Sequence, residues 1–346
     1  MRGLFCCLCG GLLLTAGAEG TSALWLRHLT PPAAYTNFVR TVTPTARYAC
    51  DGFDVECYAQ ANGPDSVQRV MMAVPRSRGD KALPAVVAPF YFPEAMLGFD
   101  PANGSLESSL VRSGTNLTFY AAITYMSDLV RRGYVVVSAD AYHLTYPGGG
   151  ASRWWRWTGV EWTMDVLQMG TGPWPRVGAA FSRDWPDWTG IGKLTFDTRL
   201  LVDLLCADKR VDADRIGIIG HSLGGKMAFY AGCLDPRVKV IVASDFGIGW
   251  TQTNWSDTWY WGVKTALMRA AGASHADLLT MSGGKPFCLI AGKYDDADSG
   301  AIMCQAKGYE GCPENLKLIH HGTGHRPPRA ATEEGYRFLD RFLLRR

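Results

Sequence analysis

One pentapeptide, Gly220-His221-Ser222-Leu223-Gly224, constrains the fold of this chain more than any other segment. An apolar run at 215–219 precedes it and helical spacing at 223–234 follows it, so the serine lies on a strand-to-helix turn. Such a turn forces the serine into a strained backbone conformation that only small neighbours tolerate. The pattern predicts that Ser222 is exposed at a helix amino terminus, where the Leu223 N–H can stabilise an oxyanion.

Strands and helices alternate along much of the chain, which predicts a mostly parallel central sheet. The apolar runs are continuous rather than alternating, so we expect helices to cover both faces of this sheet. The predicted parallel strands are 85–88, 134–139, 215–219, 238–243, 287–291 and 316–319, and the predicted helices are 119–132, 195–207, 223–234 and 330–344. Two earlier segments, 55–59 and 67–74, alternate in polarity and predict an antiparallel edge.

One interval, at about 140–194, is far longer than the roughly 2 to 6 residues that usually connect a strand to a helix. It is rich in Trp, Gly and Pro, and we interpret it as a lid inserted over the carboxyl edge of the sheet. Seven of the 12 tryptophans lie in it, and a second group follows strand 238–243. These side chains either form the core of the lid or line the pocket beside Ser222. The candidates for stacking on a substrate are Trp155, Trp255 and Trp259.

A serine hydroxyl becomes nucleophilic when an imidazole removes its proton and a carboxylate holds that imidazole in place. His325 follows the last predicted strand on the glycine loop Gly322-Thr323-Gly324, from which its ring can reach Ser222. His320 and His321 are the weaker rivals. After position 18 no CxxC pair is present, and these three histidines lack a carboxylate frame, so we expect neither a metal site nor a cofactor.

The acid of this triad has two candidate positions at the carboxyl edge of the sheet. Asp295 is favoured because it follows strand 287–291 through a G-x-x-D turn, with Asp296 as its neighbouring alternative. Asp245 ends strand 238–243 and competes for the role, because sites of open α/β sheets gather at this edge.

Two further groups complete the predicted site. The loop after strand 85–88 is expected to supply a second oxyanion donor from the backbone N–H groups of Phe90 and Tyr91. Lys226, on the helix that follows Ser222, is a candidate for binding a carboxylate of the substrate.

These motifs resemble the α/β-hydrolase superfamily, most closely its dienelactone-hydrolase-like and acetylxylan-esterase-like branch. The likeness runs from about Leu83 to the carboxyl terminus and is carried by 211–225, 292–295 and Gly324-His325. It implies an α/β-hydrolase fold with a Ser-His-Asp triad. Dienelactone hydrolases use a cysteine nucleophile, where this chain has Ser222.

A second likeness is to glucuronoyl esterases. Lys226 follows the elbow, and Asp245 stands where many of those enzymes carry their acid. Their elbow usually has an arginine after the serine, where this chain has Leu223.

The amino terminus has the order of a secretory signal peptide, with Arg2 before an apolar run at 4–14 and small residues at 16–18. The run is shorter than the roughly 20 residues that a membrane-spanning helix needs. We expect cleavage after Ala18, with retention as an anchor as the alternative. The remainder, 19–346, is predicted to be a single α/β-hydrolase domain that is secreted or periplasmic.

Cysteine usage in an oxidising compartment predicts disulfides, although the count after cleavage is odd. The candidate pairs are Cys50/Cys57, Cys304/Cys312 and Cys206/Cys233.

The charge balance argues against one class of partner. The chain has 35 Lys and Arg against 32 Asp and Glu and no long basic run, so we do not expect it to bind nucleic acid. The sequence predicts a secreted serine carboxylic-ester hydrolase, working through an acyl-enzyme on a small-molecule or carbohydrate ester. The alternatives are a non-catalytic carbohydrate-binding protein on a hydrolase scaffold and a glucuronoyl-esterase-like enzyme that uses Asp245 as its acid.

Overall fold

A computed structural model describes residues 20–76, 81–97, 123–146 and 173–344 of the chain. Its strands are β1 (Val42–Ala49), β2 (Phe53–Gly63), β3 (Ser66–Pro75), β4 (Leu83–Val87), β5 (Val135–Ala139), β6 (Val211–His221), β7 (Val238–Ser244), β8 (Phe287–Ala291) and β9 (Leu316–His320). Its helices are α1 (Thr21–Leu29), α2 (Ala33–Thr36), α3 (Pro93–Leu97), α4 (Tyr125–Arg131), α5 (Tyr142–Thr145), α6 (Pro173–Asp184), α7 (Gly190–Ala207), α8 (Leu223–Leu234), α9 (Lys264–Ala270), α10 (His275–Met281), α11 (Asp298–Met303) and α12 (Arg329–Leu343).

The strands of the described ranges form one nine-stranded sheet in the order β1-β2-β3-β5-β4-β6-β7-β8-β9. The six strands β4 to β9 pair in parallel, whereas β1, β2 and β3 are antiparallel and join the rest through β5. The predicted α/β architecture with an antiparallel edge is therefore confirmed. Strand β1 was not anticipated from the sequence, because most of its side chains are exposed and give no apolar pattern.

Helices cover both faces of the sheet, as the continuous apolar runs predict. On one face, a Cβ added at Gly217 in β6 would lie 2.7 Å from Leu343 of α12. On the other face, a Cβ added at Gly232 of α8 would lie 2.6 Å from Ile241 and 3.0 Å from Ile218. Because neighbouring residues of a strand point to opposite faces, Gly217 and Ile218 place α12 and α8 on opposite sides of the sheet.

The register of β6 and β7 sets the position of the elbow. His221 pairs with Ser244 at the end of the two strands, and the Ser222 N–H donates to the Ser244 carbonyl oxygen over 2.8 Å. Two adjacent strands therefore end together at the carboxyl edge of the sheet. Ser222 and Asp245 are the first residues after these strands.

The inserted interval is described only at its two ends. It contains α5, α6 and the first turn of α7, which begins at Gly190, five residues before the predicted start. The Thr189 hydroxyl accepts the Gly192 N–H over 3.0 Å and caps α7, a polar start that the apolar pattern did not mark. Trp174 and Trp188 are buried. The predicted lid residues at 147–172, Trp155 among them, lie outside the described ranges.

The cysteine pairs proposed from spacing are not bridged, because the seven cysteines of the described ranges are free thiols. For the first pair the sheet register gives the reason. Cys57 lies opposite Ala46 of β1, and Cys50 follows Ala46 by four residues, directly after the end of this strand. At about 3.4 Å per residue the offset is roughly 13 Å, beyond the roughly 7 Å limit between the Cα atoms of a disulfide.

The predicted signal peptide, 1–18, also lies outside the described ranges. Among the helices that the structure describes, none is both long and apolar enough to cross a membrane.

Candidate active site

Ser222 has the backbone strain that the elbow motif predicts. Its φ is 55° and its ψ is −116°, a conformation that few residues other than glycine adopt. Close packing on both sides explains the flanking glycines. A Cβ at Gly220 would lie 2.0 Å from the Gly224 carbonyl oxygen, and a Cβ at Gly224 would lie 2.1 Å from the Pro89 carbonyl oxygen. Only glycine fits these two positions, and the turn holds Ser222 at the amino terminus of α8.

His325 lies over the serine, where its position on the glycine loop predicts it. Its Nε2 is 2.9 Å from the Ser222 Oγ, and 13% of its side chain is exposed. The ring is held between two aromatic neighbours. The Tyr294 ring centroid is 4.8 Å away in an edge arrangement, and the His221 ring centroid is 4.5 Å away. The structure therefore brings the predicted nucleophile and base together.

Asp245, and not Asp295, is the carboxylate that the structure places against His325. The His325 Nδ1 makes a short hydrogen bond with Asp245 Oδ2. The Asp245 side chain is 0% exposed, and its Oδ1 accepts the N–H groups of Tyr294 over 2.6 Å and of Asp295 over 3.2 Å. With three donors around it, this carboxylate is oriented toward the imidazole in the arrangement of a catalytic triad.

The favoured candidate, Asp295, is held elsewhere in the structure. Its carboxylate accepts the backbone N–H groups of Gly247 and Ile248 and the hydroxyl of Ser299, and it points at the neighbouring loop. Burial raises the pKa of Asp295 to about 6. The other alternative, Asp296, is exposed, and its Oδ1 accepts the Gln252 side-chain amide over 2.6 Å.

His221 is a site residue that the sequence reasoning passed over, since it occupies a variable position of the elbow motif. Its ring is buried beside His325, with Nδ1 3.1 Å from the Ser244 Oγ. Burial holds the pKa of His221 well below its ordinary value, and the nearby positive charges act in the same direction. The imidazole therefore stays neutral beside His325 and adds no repulsive charge when that ring is protonated.

The predicted oxyanion donors lie beside the elbow. As the first residue of α8, Leu223 has no acceptor for its N–H within the helix. The loop after β4 packs against the same turn through the Pro89 oxygen, which faces Gly224, and through the Phe90 ring. The Ala141 N–H donates to the Tyr91 carbonyl oxygen over 3.0 Å and anchors this loop to the chain after β5. Phe90 and Tyr91 are both buried.

Lys226 lies one helical turn after Ser222 and is buried rather than displayed on the surface. Its Nζ is 4.7 Å from the Trp255 ring centroid and 4.8 Å from that of Tyr260. The Thr253 hydroxyl and the Asn254 Oδ1 are 3.4 and 3.5 Å away. Burial lowers the pKa of Lys226 to about 7, and the carboxylates of Asp295, Asp257 and Asp245 oppose this shift.

Trp255 and Trp259 do not form the accessible stacking surface expected for them. Trp255 is 0% exposed, and its indole N–H lies 2.8 Å from the Gly247 carbonyl oxygen and 3.1 Å from that of Gly249. Trp259 is buried as well. Because a sugar stacks only on an open ring face, these two side chains are packing residues, and Trp255 braces the loop that follows Asp245.

Neither of the two rival histidines has a hydrogen bond to Ser222 in the described part of the chain. His320 is exposed at the end of β9, and the Nδ1 of His321 is 2.7 Å from the Thr323 hydroxyl. Within the ranges that the structure describes, no group of three His, Cys, Asp or Glu side chains is arranged to hold a metal ion.

Comparison with known proteins supports the same fold. No family model matches the chain. A curated relative from Bacillus subtilis (strain 168), named "Putative hydrolase YtaP", is 24% identical over 164 residues, which are 44% of this chain. The match spans about half of that relative, 54% of its length.

Solved structures match over most of the chain. A glucuronoyl esterase from Solibacter usitatus has a TM-score of 0.63 at 15% identity, covering 90% of this chain and 88% of its own. A CE15 glucuronoyl esterase from Teredinibacter turnerae T7901 has a TM-score of 0.63 at 16% identity, covering 91% and 80%. Acetyl xylan esterase 1 from Thermoanaerobacterium sp. JW/SL YS485 has a TM-score of 0.54 at 13% identity, covering 92% and 93%. At these identities the likeness shows the α/β-hydrolase fold.

Proposed function

We propose that this chain is a serine carboxylic-ester hydrolase with Ser222 as nucleophile, His325 as general base and Asp245 as the acid. The observation that carries the proposal is the continuous line of hydrogen bonds from Ser222 Oγ through His325 to Asp245. A passive serine in a glycine-rich turn needs neither the strained φ of Ser222 nor a buried carboxylate behind the histidine.

The geometry suits acyl transfer. Ser222 Oγ attacks the ester carbonyl carbon while His325 Nε2 takes the hydroxyl proton, and the new O–C bond leaves an oxyanion beside the Leu223 N–H. Collapse of this intermediate breaks the bond to the alcohol, which leaves with the proton from His325. Water then attacks the acyl-enzyme with His325 again as base, releasing the acid and Ser222. Throughout, Asp245 holds the tautomer and stabilises the imidazolium.

The substrate class we propose is a carbohydrate ester. Matched structures include proteins named glucuronoyl esterase and acetyl xylan esterase. The position of Asp245 at the end of β7 favours the glucuronoyl type, because that is the place at which the sequence likeness to glucuronoyl esterases puts the acid. Lys226 is proposed to meet a polar group of the sugar from the same helix. Leu223 in place of the usual arginine of those enzymes separates this chain from their pattern.

Replacement of the nucleophile tests the reaction. Ser222→Ala is expected to lower kcat on short p-nitrophenyl esters by about 10⁶-fold, to the level left by binding and the oxyanion donors. The wild type is expected to be labelled covalently by a fluorophosphonate and the variant not. An unchanged circular dichroism spectrum serves as the control for folding. Turnover retained by Ser222→Ala would contradict the assignment.

A panel of substrates tests the class. Acetylated, feruloylated and glucuronoylated sugars are compared with simple aryl esters at equal concentration, and the highest kcat/KM is expected for a glucuronoylated sugar. If instead the wild type binds glycans, resists the fluorophosphonate and hydrolyses none of the esters, the protein is a carbohydrate-binding protein on a hydrolase scaffold.

We also propose that the protein is exported, as the composition of 1–18 predicts. Expression of the full chain with a carboxyl-terminal tag is expected to yield mature protein outside the cytoplasm whose amino-terminal residue is Glu19. Cell-associated protein that still begins at Met1 would support the alternative of a retained anchor.

A further inference from the structure

The loops after β7 and β8 hold each other through reciprocal hydrogen bonds. The Asp245 carboxylate accepts the N–H groups of Tyr294 and Asp295, which lie on the β8 loop. In return, the Asp295 carboxylate accepts the Gly247 N–H over 3.0 Å and the Ile248 N–H over 2.7 Å, both on the β7 loop. Each carboxylate therefore fixes the backbone that carries the other.

Asp295 occupies a costly environment for a carboxylate. The side chain is 0% exposed, and burial together with the nearby Asp245 charge disfavours its ionised form. Two backbone N–H groups and the Ser299 hydroxyl, 3.3 Å from Oδ1, oppose that cost. The buried Lys226 also interacts electrostatically with the carboxylates of Asp295 and Asp245. Hydrogen bonds to the β7 loop therefore stabilise the Asp295 carboxylate in the interior.

The β7 loop, whose backbone N–H groups Asp295 binds, has an intrinsically unfavourable backbone conformation. Asp245 has a φ of 42° and Gly247 a φ of 73°, so two of three successive residues lie in the left-handed region. For a non-glycine residue this conformation is unfavourable and persists only where its surroundings enforce it. The contacts on this stretch include the Asp245 N–H, which donates to the Ile290 carbonyl oxygen over 2.8 Å, and the Asp295 bonds to the Gly247 and Ile248 N–H groups. The Trp255 indole N–H also donates to the Gly247 and Gly249 carbonyl groups.

We infer that Asp295 is a positioning residue, which holds the β7 loop so that Asp245 Oδ2 stays on His325 Nδ1. This inference rests on the proposed function in assigning catalysis to Asp245 and His325. Asp295 acts through the backbone of Gly247 and Ile248, and its bonds reach neither the serine nor the histidine.

Asp295→Asn tests this role, because an amide turns an N–H donor toward a backbone N–H that needs an acceptor. We expect kcat on an aryl ester to fall about 100-fold with KM unchanged, the effect of a misplaced catalytic group. We also expect the downfield proton resonance of the His325 Nδ1–H bonded to Asp245 to weaken or disappear from the ¹H NMR spectrum. Asp298→Asn, an exposed neighbour on the same segment, is the matched control and should alter neither.

The NMR signal separates this inference from the proposed function, because it reports the hydrogen bond whether or not an ester is turned over. If the wild type lacks esterase activity but the resonance depends on Asp295, the positioning role holds and the function fails. If Asp295→Asn keeps both the His325 Nδ1–H resonance and the wild-type kcat, Asp295 is not a positioning residue.

Ser299→Ala keeps the test decisive if Asp295→Asn does not fold. This variant removes one bond to Asp295 Oδ1 and leaves the carboxylate in place. A several-fold fall in kcat with KM and melting temperature preserved supports the positioning role, and an unchanged kcat contradicts it.

Discussion

Asp245 and Asp295 are separated by 50 residues, yet both carboxylates lie at the same edge of the sheet. Their contacts differ. Asp245 touches the imidazole, whereas Asp295 touches only backbone groups and the Ser299 hydroxyl. Asp245→Asn is expected to lower kcat by about 10⁴-fold, because the amide favours the wrong imidazole tautomer. Steady-state kinetics on an aryl ester measures this, with Asp298→Asn as the exposed control. A loss below tenfold would remove Asp245 from the triad.

Sequence reasoning could place the two aspartates but could not choose between them. Both follow parallel strands, so both are delivered to the carboxyl edge. The choice depends on where the backbone N–H groups of two loops point, which no residue pattern records. Ser222 and His325 were predictable because each has a local signature, the glycine-flanked elbow and the glycine loop after β9.

Lys226 illustrates the cost of a buried charge at the residue scale. Its pKa, about 7 against an ordinary 10.5, means that the folded protein loses this proton as pH rises through 7 while the unfolded chain keeps it up to about 10.5. Wild-type stability therefore receives a rising contribution from Lys226 across this window. Lys226→Met is expected to stabilise the protein by about 1 to 4 kcal/mol at pH 6, with the gain shrinking toward pH 10.

Urea denaturation at pH 6, 8 and 10 measures the difference in unfolding free energy between the wild type and Lys226→Met. An equal difference at all three pH values would show that the Lys226 ammonium is hydrated in the folded state. Because we propose that Lys226 meets the sugar, the same substitution should raise KM for a glycosyl ester more than for an aryl ester.

Among the elements, α8 and the β4 loop are the proposed sources of the oxyanion donors, and they are in close contact at Gly224. Gly224→Ala would bring a Cβ within 2.1 Å of the Pro89 carbonyl oxygen and push the loop from the elbow. We expect kcat to fall by about 10²- to 10³-fold, the usual effect of a lost oxyanion donor. Gly311→Ala is the control, since a Cβ there meets no atom within 4 Å in the described part of the chain. Full activity of Gly224→Ala would mean that the loop does not supply a donor.

The sequence predicts the strands that are buried on both faces of the sheet, but it does not predict the exposed strand β1. The central strands read as continuous apolar runs because helices cover both faces. Strand β1 is exposed along most of its length and has no such run. The tryptophans after β7 suggested a substrate wall, but Trp255 packs inward because its indole N–H finds two carbonyl groups of the β7 loop.

At the scale of the molecule, helix α1 packs against the β7 loop through aromatic side chains. Trp25 of α1 is fully buried, stacks on Trp250 with ring centroids 5.6 Å apart and 9° between planes, and donates to Asp277 over 3.0 Å. Trp25→Ala is expected to cost about 3 to 5 kcal/mol of unfolding free energy, because it leaves a large cavity. Leu26→Ala, at a side chain that is 45% exposed, should change it by about 0.5 kcal/mol or less.

Chemical denaturation of the two variants measures this contrast. Similar stabilities for Trp25→Ala and Leu26→Ala would show that α1 contributes nothing to the aromatic cluster. The composition pointed to tryptophan as a notable residue, but the pairing of Trp25 with Trp250 depends on the tertiary fold, which brings together segments that are far apart in the sequence.

The location of the acid on β7 gives the active site an order of assembly. Ser222 and Asp245 belong to one unit of strand, helix and strand, β6-α8-β7, whose contacts are more local in sequence than those that bring His325 to it. His325 lies 103 residues after Ser222 and 80 after Asp245, beyond two further strands. Because synthesis runs from the amino terminus, the proposed nucleophile and acid leave the ribosome before the base. The proposed triad is therefore complete only when β9 has joined the sheet and brought His325 to its carboxyl edge.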